Sequence, residues 1–299
     1  MQELKITSRF GELVLSDVNT SSIDGDWVPF RLVGFDPNSS PTNQDNINCI
    51  DMDGQHNISS RMGAKPIIFT VALSGEYRQG GILIGGGVKQ MMRYRRQLIT
   101  YIPVDELVDL EYNNGISTYY AKARLTEIPA FNPVGSLNSA QFTLIADYPF
   151  WFRPITGNVW TAASGSPASV AVNNSGDIAS PIIGEITCIK KINDNTQGRY
   201  FHLSSTTVAG QGRAWMGFFR NLEAGQKLRF NSGLFNEVWV TLIDIDGTET
   251  PANHFVTYQN EYLVLNYPGR TNWMFRISNN ATEGELTIQM NYHNLFMGV

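Results

Sequence analysis

The side chains that most often hold metal ions are few and scattered in this sequence. Its 299 residues include four histidines and two cysteines. A zinc site needs such residues, or acids, at short and characteristic spacings, and no histidine here has a second ligand at such a spacing. Each is therefore interpreted as an ordinary surface or strand residue, and neither a metal nor another cofactor is predicted. The histidines are His56, His202, His254 and His293.

Three short motifs resemble catalytic or ligand-binding loops, and each has a simpler structural interpretation. Ser164-Gly165-Ser166 lies in a Gly/Ala/Ser-rich linker without the strand-to-helix context of a nucleophile elbow. Residues 244–247 begin like a calcium loop, but the ligands expected after the glycine are missing, which favours a hairpin turn. Residues 80–87 contain five glycines and no following Gly-Lys-Ser/Thr, which favours a hairpin or loop before a helix. No carboxylate pair is marked by its surroundings either, so the chain is not predicted to be an enzyme.

Composition narrows the class of protein further. Apolar residues make up 42% of the chain and charged residues only 16%, which indicates a folded protein with part of its surface covered by partners. The net charge of -5 argues against nucleic-acid binding. Cys49 and Cys188 are too far apart for a disulfide framework, so we expect folding in a reducing cytoplasm. No apolar run is long enough to span a bilayer and no signal peptide is recognisable, so no membrane insertion is expected.

The stretch at residues 140–155 divides the chain. Its first half alternates apolar and polar side chains, which predicts a strand, and the proline after Tyr148 ends it. Four aromatic residues lie within residues 148–152. Because so much aromatic surface should be buried, we expect Tyr148, Phe150 and Trp151 to lie where two domains meet. The length also exceeds that of a usual single core, and the predicted domains are residues 1–153 and 154–299.

The first domain is predicted to contain short strands, one hairpin and a long loop. Residues 36–61 are rich in Asn, Asp and Ser, so we expect an exposed loop with a functional or partner-binding role. Residues 67–73 form an apolar, β-branched strand. Asn113-Asn114-Gly115 between two alternating segments predicts a hairpin, because Asn and Gly tolerate positive φ.

One helix is predicted, over residues 88–102. Six apolar residues fall on one face at helical spacing: Val88, Met91, Met92, Leu98, Ile99 and Ile102. Arg95 falls in the middle of this face, and Lys89, Arg93 and Arg96 form a stripe beside it. The simplest interpretation is a core helix with a solvated basic side. A buried unpaired charge is costly, however, so Arg95 needs a carboxylate or carbonyls, which a neighbouring subunit could supply. Arg93, Arg95 and Arg96 are therefore candidate interface residues.

The second domain is predicted to be a β-sandwich, since short strands recur at turn-marked intervals and no helical period is present. The predicted strands are residues 181–192, 200–203, 215–219, 227–230, 237–245, 254–257, 262–265, 273–277 and 285–292.

Four segments in this order resemble the distal tail proteins of long-tailed bacteriophages, the siphophage tail family. They are the Trp-Val-Pro-Phe-Arg-Leu strand at 27–32, the strand-then-helix unit at 67–75 and 94–98, the Phe-Thr-Leu-Ile-Ala-Asp-Tyr-Pro-Phe-Trp segment at 142–151, and Val-Asn-Asn-Ser-Gly at 172–176 with Ser-Pro-Ile-Ile at 180–183. Residues 265–269 and the terminal strand at 288–296 are also similar to the end of that family's second domain. The resemblance covers nearly the whole chain.

This resemblance implies a mainly β fold. The first domain would be a β-sandwich with one α-helix and a hairpin that closes into a hexameric ring continuing the tail tube. The second would be an outward-projecting β-sandwich, galectin-like or carbohydrate-module-like. Such a virion protein is assembled in the host cytoplasm and sits in the tail-tip baseplate. It contacts the tail tube protein, a tail-associated tip protein, and receptor-binding or side-fibre proteins.

The main alternative is a carbohydrate-binding module that acts in adhesion to the host cell wall. Sugar-binding modules use exposed aromatic rings, and the second domain has four tryptophans for this purpose: Trp160, Trp215, Trp239 and Trp273. Tryptophans in strands more often belong to the core, which favours the hub interpretation.

Overall fold

The computed structural model describes two compact units. Residues Met1–Phe152 and Met297–Val299 form the first unit, and Arg153–Phe296 form the second. The described residues are 1–18, 20–37, 42–48, 55–79, 82–134, 137–157, 159–193, 201–206, 215–259, 265–266, 268–277 and 283–299. Within these ranges, no helix has the length and apolar character that crossing a bilayer requires.

In its described residues the first unit has one helix and mostly short strands. The strands are β1 (Glu3–Ser8), β2 (Gly11–Ser16), β3 (Ser22–Ile23), β4 (Asp26–Trp27), β5 (Phe30–Asp36), β6 (Thr42–Asn48), β7 (Gln55–Met62), β8 (Lys65–Ser74), β9 (Glu76–Gln79), β10 (Ile82–Gly85), β11 (Leu107–Asn113), β12 (Thr118–Leu125), β13 (Asn132–Val134), β14 (Leu137–Ala146) and β15 (Trp151–Ile155), which continues into the second unit. The helix is α1 (Gly87–Tyr101).

Antiparallel pairing joins most of these strands in the order β5-β8-β14-β12-β11-β1-β2-β3-β4. Alternate residues of the longer strands are buried, as period-two patterning requires. In β8 the buried set is Lys65, Ile67, Phe69, Val71 and Leu73. Phe69 stacks on Phe142 of β14 with ring centroids 5.2 Å apart. Cross-strand aromatic pairs of this kind fix the register between neighbouring strands.

The predicted hairpin at Asn113-Asn114-Gly115 is confirmed. β11 and β12 pair antiparallel across it, and Gly115 has φ of +89°. The Asn113 side-chain oxygen accepts a hydrogen bond from Gly115 N at 2.7 Å, and that of Asn114 accepts from Ser117 N at 2.9 Å. Asparagine side chains that hydrogen-bond the backbone two or three residues on stabilise such turns.

The long loop predicted for residues 36–61 is wrong in part. β6 and β7 pair antiparallel and form a hairpin there, while residues 38–41 and 49–54 lie outside the described residues. A hairpin satisfies its backbone polar groups by pairing its own arms, so it does not depend on an apolar side-chain pattern. The glycine-rich segment before the helix is a second hairpin, β9 with β10, of which residues 80 and 81 are not described.

The second unit contains the remaining strands. They are β16 (Val159–Ala163), β17 (Ala168–Asn174), β18 (Ser180–Asn193), β19 (Phe201–Thr206), β20 (Trp215–Phe218), β21 (Lys227–Ser232), β22 (Val238–Ile243), β23 (Glu249–Pro251), β24 (Val256–Gln259), β25 (Leu265–Asn266), β26 (Gly269–Ile277) and β27 (Glu283–Phe296). Single 3-10 turns lie at Leu234–Asn236 and Asn253–Phe255.

Two antiparallel sheets enclose the core of this unit. One runs β16-β27-β18-β21-β22-β23, and the other runs β17-β26-β19-β20-β24. Ile186, Phe230 and Ile288 from the first sheet and Phe201 and Trp273 from the second belong to one buried cluster. The predicted mainly β class and the β-sandwich are therefore confirmed.

The segment around Ser164-Gly165-Ser166 was predicted to be a linker, and this is wrong. It is a tight turn between β16 and β17, with Gly165 at φ of +74°. Ala163 and Ser166 each donate a backbone hydrogen bond to the other, at 3.0 and 2.9 Å. β16 and β17 pair with β27 and β26 of different sheets, so the turn joins the two layers of the sandwich.

Candidate interface on the helix of the first unit

One side of α1 is fixed to the strands of the first unit. Met91, Tyr94 and Leu98 are its buried residues. The Tyr94 ring packs edge-on against Phe30 of β5, with centroids 6.0 Å apart. The buried Asn138 amide donates to the Met91 sulfur at 2.8 Å. These contacts on three successive turns fix which side of the helix faces away.

The prediction that Val88 and Met92 belong to the core face is wrong. They are 66% and 46% exposed. The face that packs is centred on Met91, Tyr94 and Leu98, because the largely apolar ring of Tyr94 fills a core position. The helix therefore has a second apolar stripe that the rest of its unit does not cover.

The basic stripe lies beside these exposed apolar residues. Lys89, Arg93 and Arg96 are exposed and recur at spacings of four and three residues, which places them along one side of the helix. Within the described part of the chain, none of the three forms an ion pair. The stripe is thus a row of cations without a direct ion-pair partner among the described residues.

An open groove of about 1080 Å³ runs along this side of α1 and is here called the basic groove. Its lining residues are Gly85, Gly86, Lys89, Gln90, Met92, Arg93, Arg96, Gln97, Thr100 and Tyr101. The lining combines three cations with an exposed thioether and contains no carboxylate. It suits a protein segment that carries both carboxylates and apolar side chains.

The two glycines at the start of the basic groove differ in their structural role. A Cβ on Gly86 would lie 2.5 Å from the Gly75 carbonyl oxygen, so the fold itself requires glycine there. A Cβ on Gly85 would meet nothing within 4 Å. Packing within the chain therefore does not demand glycine at 85, and its missing side chain leaves the backbone of the groove uncovered there.

A smaller cavity of about 370 Å³ adjoins the groove, and Asp24, Arg93 and Tyr101 are among its lining residues. The Tyr101 hydroxyl donates to Asp24 Oδ2 at 2.6 Å, and Asp24 Oδ1 accepts from Glu12 N at 2.8 Å. These bonds, the one from the Glu12 N–H above all, lower the pKa of Asp24, whereas the bond to the carboxylate raises the pKa of Tyr101. The Asp24 carboxylate is therefore held by its own chain.

Arg95 was expected to need a carboxylate or carbonyls. Its guanidinium instead lies over the Phe131 ring, 4.4 Å from the centroid. A cation-π contact of this kind stabilises a partly buried arginine without an anion. Arg95 is thereby tied to its own unit, while Arg93 and Arg96 are left in the basic groove. A role for Arg95 between subunits stays a prediction.

The aromatic residues predicted to lie between the domains have well-defined surroundings in the first unit. Trp151 is fully buried, its indole N–H donates to the Pro37 carbonyl at 3.1 Å, and its ring lies 6.1 Å from Phe35 and 6.0 Å from Tyr112. Tyr148 packs edge-on against Phe150 at 5.2 Å. Burial raises the pKa of the Tyr148 hydroxyl. An inter-domain role for these residues stays a prediction.

In the motif that resembled a calcium loop, the carboxylates accept hydrogen bonds from groups of their own chain. Asp244 Oδ1 accepts from Ile245 N and Gln226 Nε2, and Asp246 Oδ1 accepts from Thr248 N. Gly247 has φ of +85°, so the predicted hairpin turn is confirmed. Among the residues that the structure describes, no group of three His, Cys, Asp or Glu side chains is placed to hold a metal ion. Cys188 is buried, and burial raises the pKa of its thiol to about 11.

The tryptophans proposed as sugar platforms are mostly covered. Trp273 is fully buried in the sandwich core. Trp160 packs against that core, and Trp239 is half-buried. The Trp215 side chain lies outside the described residues. One of the three described indoles is therefore buried and the other two are only partly exposed, which disfavours the open flat ring that stacking on a sugar requires.

Sequence reasoning identified the cations of the basic groove but missed Gly85 and Met92 as part of it, and it placed the exposed Val88 in the core. The available signal was the five-glycine segment directly before a helix with two apolar stripes. A helix with more apolar residues than one face can hold indicates that a further surface covers the surplus.

Comparisons with known proteins give a likeness in structure only. No protein-family model and no curated protein sequence matches the chain. The fold is similar to that of SPP1 Dit (gp 19.1), described as a paradigm of the hub adsorption apparatus in phages that infect Gram-positive bacteria. The match covers 97% of this chain and 98% of that chain at 10% identity, with a TM-score of 0.56. A chain of the phage P2 baseplate in its activated, Ca-bound conformation matches over the same shares at 10% identity, but its TM-score of 0.44 carries no weight. Both units of this chain, in order and over nearly their full length, thus have the fold of the SPP1 Dit hub protein.

Proposed function

We propose that the chain is a non-enzymatic structural protein of a phage virion, and that it forms the hub at the distal end of the tail. The observation that carries this proposal is the likeness to SPP1 Dit, which extends over both units in the same order. A likeness limited to one β-sandwich would say little, because that architecture serves many functions. A shared two-unit architecture is a much narrower resemblance.

In this proposal the first domain, residues 1–153, closes into a hexameric ring that joins the tail tube to the tail tip. The 154–299 domain projects outwards and holds receptor-binding or side-fibre proteins. The supporting features are those of a protein that works through surfaces. The chain has few charged residues, and an open groove on one helix face carries cations without ion-pair partners among the described residues.

The test is the mass and shape of the purified full-length chain. Light scattering after size exclusion should give six times the chain mass, and negative-stain images should show rings with six-fold symmetry. A chain that stays monomeric at high concentration, alone and with a tail tube protein, would contradict the proposal. A monomer that binds cell-wall glycans on an array would instead favour the carbohydrate-binding alternative.

A further inference from the structure

A second unpartnered surface of the first unit lies at the end of β11 and β12 that is opposite their turn. Asp105 N donates to the Leu125 carbonyl at 2.9 Å, and Leu107 pairs with Arg124. The segment that leads into β11 therefore runs beside the one that leaves β12. Asp105, Leu107, Glu127 and Ile128 are here called the acidic patch.

The acidic patch also exposes two large aliphatic side chains. Leu107 is 56% exposed and Ile128 is 55% exposed. Asp105 and Glu127 are also exposed, and neither forms an ion pair with any residue that the structure describes. The neighbouring Glu106 and Asp109, by contrast, pair with Arg9 and Lys122 at 2.8 and 3.4 Å. Asp105 and Leu107 thus lie beside the end of β12, and Glu127 and Ile128 follow that end directly in the chain. This end of the strand pair carries two carboxylates without ion-pair partners among the described residues and two exposed aliphatic side chains.

The basic groove and the acidic patch are complementary in both charge and polarity. The basic groove carries three cations without ion-pair partners in the described part of the chain, and the exposed side chain of Met92. No ion pair joins the two surfaces within one chain, so each is available to another molecule. Opposite charges around matching apolar contacts favour association and fix its register.

Charge also decides which pairing of copies is possible. Two basic grooves face to face would bring six cations together, and two acidic patches would oppose carboxylates, which costs free energy. Only groove against patch is favourable. Such a contact uses different surfaces of the two subunits, and contacts of this heterologous kind generate rings when the rotation closes.

We propose that the basic groove of one subunit receives the acidic patch of the next, with Arg93 and Arg96 facing Asp105 and Glu127. This inference rests on the proposed ring. The uncovered backbone at Gly85 admits the neighbouring chain, and Met92 contacts Leu107 and Ile128. A nucleic acid is the less suitable occupant, because the apolar side chains and the net charge of -5 disfavour a phosphate backbone.

Three variants of the full-length chain test the interface. Arg93→Glu with Arg96→Glu reverses the groove charge, and Gly85→Phe fills the groove without straining φ. Asp105→Asn with Glu127→Lys reverses the patch charge, and the Asn keeps the positive φ of 61° that Asp105 has. Each should weaken assembly about 100-fold and leave a monomer with an unchanged circular dichroism spectrum. The matched control is Arg220→Glu with Arg270→Glu, two exposed arginines of the second unit, which should still form rings.

The decisive experiment mixes the groove-reversed and patch-reversed variants in equal amounts. The intact patch of the first fits the intact groove of the second, and the reversed groove and reversed patch again carry opposite charges. The mixture should therefore restore rings in which the two variants alternate, although each variant alone stays monomeric. A mixture that stays monomeric would overturn the interface. Unchanged rings in all three variants would overturn the interface and leave the proposed function standing, whereas a wild-type chain that stays monomeric alone and with a tail tube protein would overturn both. Unchanged rings, together with duplex DNA binding that is lost on groove reversal at about 0.15 M ionic strength, would make the groove a nucleic-acid site.

Discussion

The Lys65 ammonium donates a hydrogen bond to the Met297 carbonyl at 2.7 Å, which ties residues 232 positions apart. Lys65 begins β8, and Met297 belongs to the three C-terminal residues of the first unit. The lysine is almost fully buried. Burial lowers its pKa from 10.5 to about 8, against the opposing effect of Asp36.

The depressed pKa of Lys65 predicts a pH dependence at the alkaline end. Between pH 8 and pH 10.5 the unfolded chain keeps the Lys65 proton while the folded chain has lost it. The unfolding free energy of the first unit should therefore rise with pH across this window. Lys65→Met should remove this rise and change stability at pH 7 by only about 1 kcal/mol, since a lost hydrogen bond is offset by a lost buried charge. Urea unfolding at several pH values measures this rise. The control is Lys190→Met, which removes an exposed lysine and should leave the rise unchanged.

Gly184 of β18 lies opposite Phe230 of β21, and the ring covers the glycine. A Cβ at 184 would lie 2.2 Å from the Phe230 ring, which is itself buried in the sandwich core. Gly184→Ala should therefore displace the ring and cost about 1–3 kcal/mol in urea unfolding of the second unit.

Gly34→Ala is the matched control for this prediction. Gly34 also lies in a strand, but its Cβ would meet Thr70 at an ordinary 3.8 Å. That substitution should leave stability unchanged or slightly raised, because alanine restricts the unfolded chain. Equal losses in both variants would mean that the Phe230 contact is not the cause.

Elements with a local cause were predictable from the sequence. The β11–β12 hairpin follows from Asn113, Asn114 and Gly115, whose side chains and positive φ build the turn by themselves. The presence of α1 follows from its apolar spacing. Its orientation does not, because whether Met92 or Tyr94 faces the strands depends on Phe30 and on β14, which lie far away in the sequence.

Elements stabilised by distant partners were not predictable. β17 is rich in Ala, Ser and Asn, and it pairs with β26 about a hundred residues later. Its strand character comes from that partner rather than from propensity. The residues of the candidate interface also differ in whether the sequence alone could identify them. Arg93 and Arg96 were recognisable from their helical spacing, whereas Asp105 and Glu127 come to the same end of two strands only through the pairing of β11 with β12.

His293 predicts a pH dependence at the acid end. Desolvation lowers its pKa from 6.5 to about 4, and its ring lies 6.0 Å from Phe235. Between these pH values the unfolded chain binds a proton that the folded chain does not, so stability falls on acidification. The loss should approach about 3 kcal/mol by pH 4. His293→Gln should flatten the curve, as thermal melts from pH 7 to pH 4 would show, whereas the exposed His254→Gln should not.

Substitution of Trp151 distinguishes two interpretations of the aromatic residues within 148–152. Its burial among Phe35, Tyr112 and the Pro37 carbonyl predicts that Trp151→Ala lowers the stability of the first unit by about 3–5 kcal/mol. Hydrogen exchange with mass spectrometry should then show faster exchange in β8 and β14 and unchanged exchange in β18 and β27. The proposed inter-domain role predicts a different pattern for Phe150→Ala with Trp151→Ala. Protease cleavage near Arg153 would rise while both units kept their protection, and loss of protection confined to the first unit would contradict it.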